Sequence, residues 1–267
     1  MSRVRQPAVA GVFYPADPDA LGALLVAYLA EARTGAAGDA NEPLPKALVV
    51  PHAGYVYSGP IAASAYVQLE RERQRVERVV LLGPSHRVAL EGLAVPSADR
   101  FATPLGDIVL DRVALDRALA LPQVSLCDAA HEAEHSLEVQ LPFLQRVLGD
   151  FVLVPFAVGD ATGAQVAELL ELLWNGPETL ILVSSDLSHY RDYETARSLD
   201  TATSRAIEEL APDRLDFESA CGRVPLRGLL LAARRHGLRA RLLDLRSSGD
   251  TAGPRDRVVG YGAYRFA

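Results

Sequence analysis

Three histidines stand just past short apolar runs. His52 follows Leu48-Val49-Val50-Pro51, and His86 follows Val79-Val80-Leu81-Leu82-Gly83-Pro84-Ser85. His189 follows Leu180-Ile181-Leu182-Val183, with Ser184-Ser185-Asp186-Leu187-Ser188 between. A histidine between a strand end and a turn marked by proline or glycine is well placed to ligate a metal or move a proton; its plainer role is a loop hydrogen bond. Asp186 and His189 lie three positions apart. On a helical turn they share a face, where the pair can bind metal or the carboxylate can set the imidazole tautomer. Asp186 or Ser188 can equally cap the helix that follows. Cys221 lies in Ser219-Ala220-Cys221-Gly222-Arg223-Val224-Pro225, ahead of a leucine-rich helix. A helix N-terminus and an arginine are expected to lower its thiol pKa, making it a better nucleophile or metal ligand. Otherwise a free cysteine serves as a small buried apolar residue, the role read for Cys127.

A fourth cluster satisfies the zinc-peptidase pattern H-E-x-x-H, in His131-Glu132-Ala133-Glu134-His135. That chemistry needs both histidines on one helix face with the glutamate beside the metal-bound water. Here the histidines open the helical segment, and the region roughly 20 residues on reads as a strand rather than a helix carrying a further glutamate. The peptidase is therefore the least favoured reading. Glu134-His135-Ser136-Leu137-Glu138 is a dense polar cluster opening an apolar helix, suited to lining a pocket or orienting its ligands. No G-x-S-x-G elbow, dinucleotide fingerprint or P-loop occurs.

These residues need elements to hold them. Four-residue apolar runs such as Val79 to Leu82 are too short for an isolated helix and suit strands buried on both faces. Three such strands each deliver a histidine past the C-terminal end, where ligands bind in open α/β sheets. Further strands are expected over 92–96, 106–110, 151–158, 241–245 and 258–266. Helices are expected near 21–29, 61–72, 111–120, 130–148 with a break at Pro142, 164–174, 193–210 and 225–236. Residues 34–45 read as a small-residue loop. Strands alternate with helices, which gives an α/β fold with a central, mostly parallel or mixed sheet flanked by helices. No composition shift marks a boundary, so residues 1–267 are read as a single domain.

The chain has 267 residues, of which 49% are hydrophobic and 23% charged, with net charge −7. An acidic chain is a poor match for nucleic acid or an anionic membrane surface. No apolar run approaches a membrane span, and the N-terminus lacks the apolar core of a secretory signal. Two cysteines make no disulfide framework, so a reducing, cytoplasmic setting is expected.

Taken together, Gly11-Val12-Phe13-Tyr14-Pro15, Pro51-His52-Ala53-Gly54-Tyr55, Leu82-Gly83-Pro84-Ser85-His86, Glu134-His135-Ser136-Leu137-Glu138 with Leu141-Pro142, Ser184 to His189, and Cys221-Gly222-Arg223 with Pro225 resemble the Memo family, whose bacterial and archaeal members are called AmmeMemoRadiSam system protein B. The resemblance runs over nearly the whole chain. It implies a fold similar to class III extradiol dioxygenases, which use non-haem iron(II) held by two histidines and a carboxylate. Carried over by resemblance, His52 and His86 match the two histidine ligands, Cys221 the third ligand position, and His189 the acid/base, with Asp186 beside it. A cysteine where the dioxygenases have glutamate favours a softer ion, so iron or copper is expected, with zinc as a further candidate. Glu134, His135, Tyr55, Tyr57, Ser85, Tyr190 and Arg223 complete the expected pocket. The resemblance also implies an alternative, a binding module for a small molecule or peptide, partnered by an AMMECR1-type protein and a radical SAM enzyme.

Overall fold

The computed structural model describes residues 3–35, 44–73 and 75–267. Residues 36–43 of the expected loop over 34–45 lie outside them. In chain order the elements are β1 (Val4–Arg5), α1 (Pro18–Gly35), β2 (Ala47–Val50), α2 (Tyr55–Tyr66), β3 (Arg78–Pro84), β4 (Leu93–Val95), β5 (Arg100–Thr103), β6 (Gly106–Val109), α3 (Arg112–Ala118) and β7 (Val124–Leu126). There follow α4 (Ala129–Glu132), α5 (His135–Glu138), α6 (Leu141–Leu148), β8 (Val152–Val158), α7 (Gly163–Leu173), β9 (Thr179–Ser184), β10 (His189–Arg191), α8 (Tyr193–Glu208), α9 (Arg223–Arg235), β11 (Ala240–Ser247) and β12 (Val258–Phe266).

The main sheet has nine strands among the described residues, in the order β10-β12-β2-β9-β3-β8-β4-β7 with β11 paired to β12. Strands β2, β9, β3 and β8 run parallel. Strands β12 and β4 flank them antiparallel, which makes the sheet mixed. Helices α1, α2 and α6 pack together as one layer, and α7 packs closely on α9 as another. Helices on both faces are why the central strands are continuous apolar runs. Val79, Val80, Leu81 and Leu82 of β3 and Ile181, Leu182 and Val183 of β9 are fully buried. Each contributes about 1.5–3 kcal/mol through loss of apolar surface from water. This is the α/β architecture the sequence pattern implies.

Register places the strand ends level. Val50 of β2 pairs with Ser184 of β9, and Leu82 of β3 pairs with Val183. His52, Asp186 and His86 each lie two residues beyond the last residue of β2, β9 and β3, so the three loops open side by side. Two glycines permit the approach of what covers them. A Cβ on Gly83 would meet Ser136 Oγ at 2.7 Å and Leu137 Cδ2 at 3.0 Å, so only glycine lets α5 lie against β3. A Cβ on Gly222 would meet Ser185 Cβ at 2.6 Å, so glycine there brings the Cys221 turn onto the end of β9.

Several local expectations are corrected. Helix α2 starts at Tyr55, not Ile61, and keeps Pro60 inside it. Burial of Ile61, Ala62, Ala65 and Tyr66 offsets the hydrogen bond that the proline forgoes. The segment 130–148 is broken at Ala133-Glu134 and after Glu138, and Pro142 opens α6 instead of interrupting a helix. After β9 no helical turn carries Asp186 and His189. His189 enters the short strand β10, and Asp192 caps α8 through Thr195 N–H. Asp186 and Ser188 therefore cap nothing.

Candidate metal centre

The loops after β2 and β3 and the start of α5 bring His52, His86 and His135 together, with one nitrogen from each within 4.8 Å of the other two. Their rings are 5.2 Å (His52–His86), 5.5 Å (His52–His135) and 4.8 Å (His86–His135) apart, centroid to centroid. Burial, aided by the neighbouring imidazoles, holds His52 well below the ordinary histidine pKa. Burial lowers His135 as well. Both rings are neutral at pH 7, the form in which imidazole binds metal.

Each ring is held from behind. Glu134 is fully buried and caps α5, accepting from Ser136 N–H at 2.9 Å. It also accepts the His86 backbone N–H at 2.6 Å and faces His86 Nδ1 at 3.0 Å. Burial works to raise this carboxyl, but the bonds to His86 and Ser136 outweigh it and set the pKa at about 2. An ionised Glu134 makes His86 Nδ1 the donor and leaves Nε2 free. His135 Nδ1 is buried and makes no hydrogen bond, lying 3.4 Å from Glu134 Oε1. Phe13 packs on the His135 ring at 5.0 Å. The segment carrying Phe13 is anchored by Glu138, which takes Tyr14 O–H, the Ala8 and Val9 N–H groups and the Arg5 guanidinium. Glu138 is thus a structural tether and does not line the cleft.

Asp186 is buried and accepts His52 N–H at 2.7 Å. Its pKa is raised by burial, against the opposing pull of His189 and the His52 N–H. His189 Nδ1 donates to Leu187 O at 2.8 Å, so the backbone sets this tautomer and Asp186 does not. Cys221 Sγ lies 3.3 Å from His52 Nε2. Burial, then the field of Asp186, raises its thiol pKa, the reverse of the lowering expected from the helix start. Desolvation outweighs the N-terminal dipole of α9, and the thiol keeps its proton.

His52, His86, His135, Asp186 and His189 face a cleft of about 650 Å³, with Tyr57, Tyr190, Arg87 and Arg257 also along it. Its edge exposes Val12, Val56, Tyr57 and Tyr190. Tyr190 has φ 59°, a strained setting for a tyrosine, and carries the Arg257 guanidinium 4.6 Å from its ring. Ser85, Cys221 and Arg223 line an adjoining cleft rather than this one. Tyr55 points away into the core, donating to Val139 O at 2.7 Å. The H-E-x-x-H arrangement does not form: His131 lies on α4, buried against Ala94 O at 3.0 Å, and His135 lies on α5 beyond the break.

The chain matches the family model described as "Memo-like protein" over residues 5–265. The chain belongs to the Memo family. It is 36% identical to a MEMO1 family protein of Aquifex aeolicus, over 97% of each chain. It is 37% identical to one from Ignicoccus hospitalis, over 98% of each, and 37% identical to one from Aeropyrum pernix, over 98% of this chain and 99% of the relative. Among solved structures it resembles an uncharacterized protein of Escherichia coli K12, with TM-score 0.52 and 15% identity over 82% of this chain and 99% of the other, a likeness of fold. The sequence pattern places His135 in the pocket wall, whereas the structure brings it beside His52 and His86 as a third candidate donor. The signal was present: His135 directly follows the helix-capping Glu134, the residue that also grips His86. Ser184 stands out in the sequence only as the start of the Ser184 to His189 run, and Gln140 carries no sequence signal.

Proposed function

We propose that this chain holds one non-haem metal ion, iron(II) or copper with zinc as a further candidate, at the ends of β2 and β3 and uses it in redox chemistry. The convergence of the His52, His86 and His135 nitrogens within 4.8 Å carries the reading. The donor set fits such an ion. Imidazole suits iron, copper and zinc, two of the rings are held neutral, and the buried His135 Nδ1 makes no hydrogen bond. Cys221 is kept in the set by the family resemblance and by its 3.3 Å approach to His52 Nε2. An imidazole and a thiolate bound to one ion at about 2.1 and 2.3 Å stand roughly 3–3.6 Å apart. When bound, the ion supplies a Lewis acid or one-electron centre with open positions for a small ligand.

The protein's own groups then divide the work. Glu134 orients His86, and Asp186 fixes the His52 backbone. His189, with Nδ1 committed to Leu187 O, has Nε2 left to take up or release a proton. Loading with iron(II) or copper(I) under anaerobic conditions should give close to one equivalent of metal. Protein that stays metal-free after both loadings overturns the reading.

A second reading has its own support. The exposed Val12, Val56, Tyr57 and Tyr190 around the cleft suit recognition of a peptide or small ligand without turnover, with an AMMECR1-type protein or radical SAM enzyme as partner. A pull-down whose partner is lost on Tyr190→Ala but kept after metal removal would favour it over the first.

A further inference from the structure

We infer that Gln140 and Ser184 are positioning residues that fix the His52 proton on Nδ1 and leave Nε2 as a bare lone pair facing Cys221. The donors and acceptors around one hydroxyl fix the tautomer. Ser184 Oγ touches three groups: Ser136 O at 2.6 Å, Gln140 Nε2 at 2.7 Å and His52 Nδ1 at 2.9 Å. A hydroxyl has one proton to give and two lone pairs to fill. Ser136 O can only accept, so it takes the proton. The Gln140 amide has one possible orientation: its nitrogen faces Pro51 O at 3.0 Å, another pure acceptor, while its oxygen accepts Tyr66 O–H at 2.6 Å. Gln140 therefore donates to Ser184. The remaining lone pair of Ser184 is free only to accept, so His52 Nδ1 must carry a hydrogen.

All four side chains, those of His52, Ser184, Gln140 and Tyr66, are at most 2% exposed, so water does not relax the count. Tyr66 is itself held by stacking on Phe143 at 4.8 Å and 8°. The relay thus runs from the α2–α6 layer through the last residue of β9 to the ring after β2. With Nδ1 protonated, Nε2 faces Cys221 Sγ at 3.3 Å as an acceptor in the metal-free protein, sharing the thiol's one proton with Asp186 O at 3.6 Å. That Nε2 then serves as a metal donor rests on the function proposed above; the tautomer does not.

The test is nitrogen NMR of metal-free protein labelled with ¹⁵N-histidine. The wild type should show His52 with a pyrrole-type Nδ1 and a pyridine-type Nε2. Ser184→Ala should shift that pattern toward the other tautomer, and Ser184→Thr, which restores a hydroxyl, should return it. Metal affinity for added iron(II) should fall about 10–100-fold in Ser184→Ala and recover in Ser184→Thr. A wild-type spectrum with the proton on Nε2 overturns the inference, as does an unchanged ring pattern in folded Ser184→Ala. If Ser184→Ala does not fold, the wild-type spectrum alone decides. The expected tautomer in a protein that binds no metal keeps this inference and sinks the metal reading.

Discussion

Replacing Glu134 by glutamine removes the negative charge that grips His86 while keeping the side chain's size. Its carboxyl is held at about 2, against an ordinary 4.5. At about 1.4 kcal/mol for each tenfold change, that difference amounts to roughly 3 kcal/mol favouring the ionised, folded form. Because the folded pKa is the lower one, this stability is fully present above pH 4.5 and lost as pH falls through 2. Glutamine accepts with one end only. Its amide NH₂ must face either the His86 N–H or His86 Nδ1, both of which approach a carboxylate oxygen in the wild type. The expected cost near neutral pH is about 2–4 kcal/mol, the range for leaving a buried donor without its charged partner. For a chain of this length that lowers Tm by roughly 5–10 °C. Urea denaturation of both proteins at several pH values between about 7 and 2 is the assay, with the difference shrinking as the wild-type carboxylate is protonated. A difference under about 0.5 kcal/mol at neutral pH, or one that does not change with pH, refutes the reasoning.

Asp200 accepts Ser188 N–H at 3.0 Å and is raised by burial to about 6. A raised acid contributes stability that is full below the ordinary 3.8 and lost as pH rises through 6. Asp200→Asn keeps the acceptor and abolishes that loss, so its stability relative to wild type should increase from about pH 4 to about pH 8, read by urea denaturation. Gly83→Ala places a methyl 2.7 Å from Ser136 Oγ. It should cost about 1–3 kcal/mol and weaken metal binding by moving α5, measured by thermal melting and metal titration. Cys221, with its thiol raised by burial, should alkylate far more slowly than a free thiol at about pH 8; rapid, selective labelling in folded protein would contradict the assignment.

The parts of the fold legible in the sequence were those coded locally. Leu48 to Val50, Val79 to Leu82 and Leu180 to Val183 are short apolar runs ended by turn residues, and all became adjacent central strands. That His52 and His86 meet at their ends followed from parallel pairing. Strand β10 was not legible: it is three residues long, largely exposed, and exists only through pairing with β12 from the far end of the chain. The break between α4 and α5 was hidden because Glu134 adopts an extended conformation to reach His86, a tertiary contact that helical periodicity does not encode. The sign of the Cys221 shift was misread for a related reason. A helix start and an arginine are visible in sequence, whereas the burial that outweighs them appears only in the packed structure.

The metal content of protein purified under reducing, anaerobic conditions tests the central claim most directly, with wild type measured beside His52→Ala, His135→Ala, His131→Ala and Cys221→Ser. Close to one equivalent of iron or copper is expected in wild type and in His131→Ala. Loss is expected in His52→Ala and His135→Ala, and Cys221→Ser should retain an ion with altered preference between iron and copper. Wild-type protein without metal, or metal kept at full stoichiometry in His52→Ala and His135→Ala, would contradict the account.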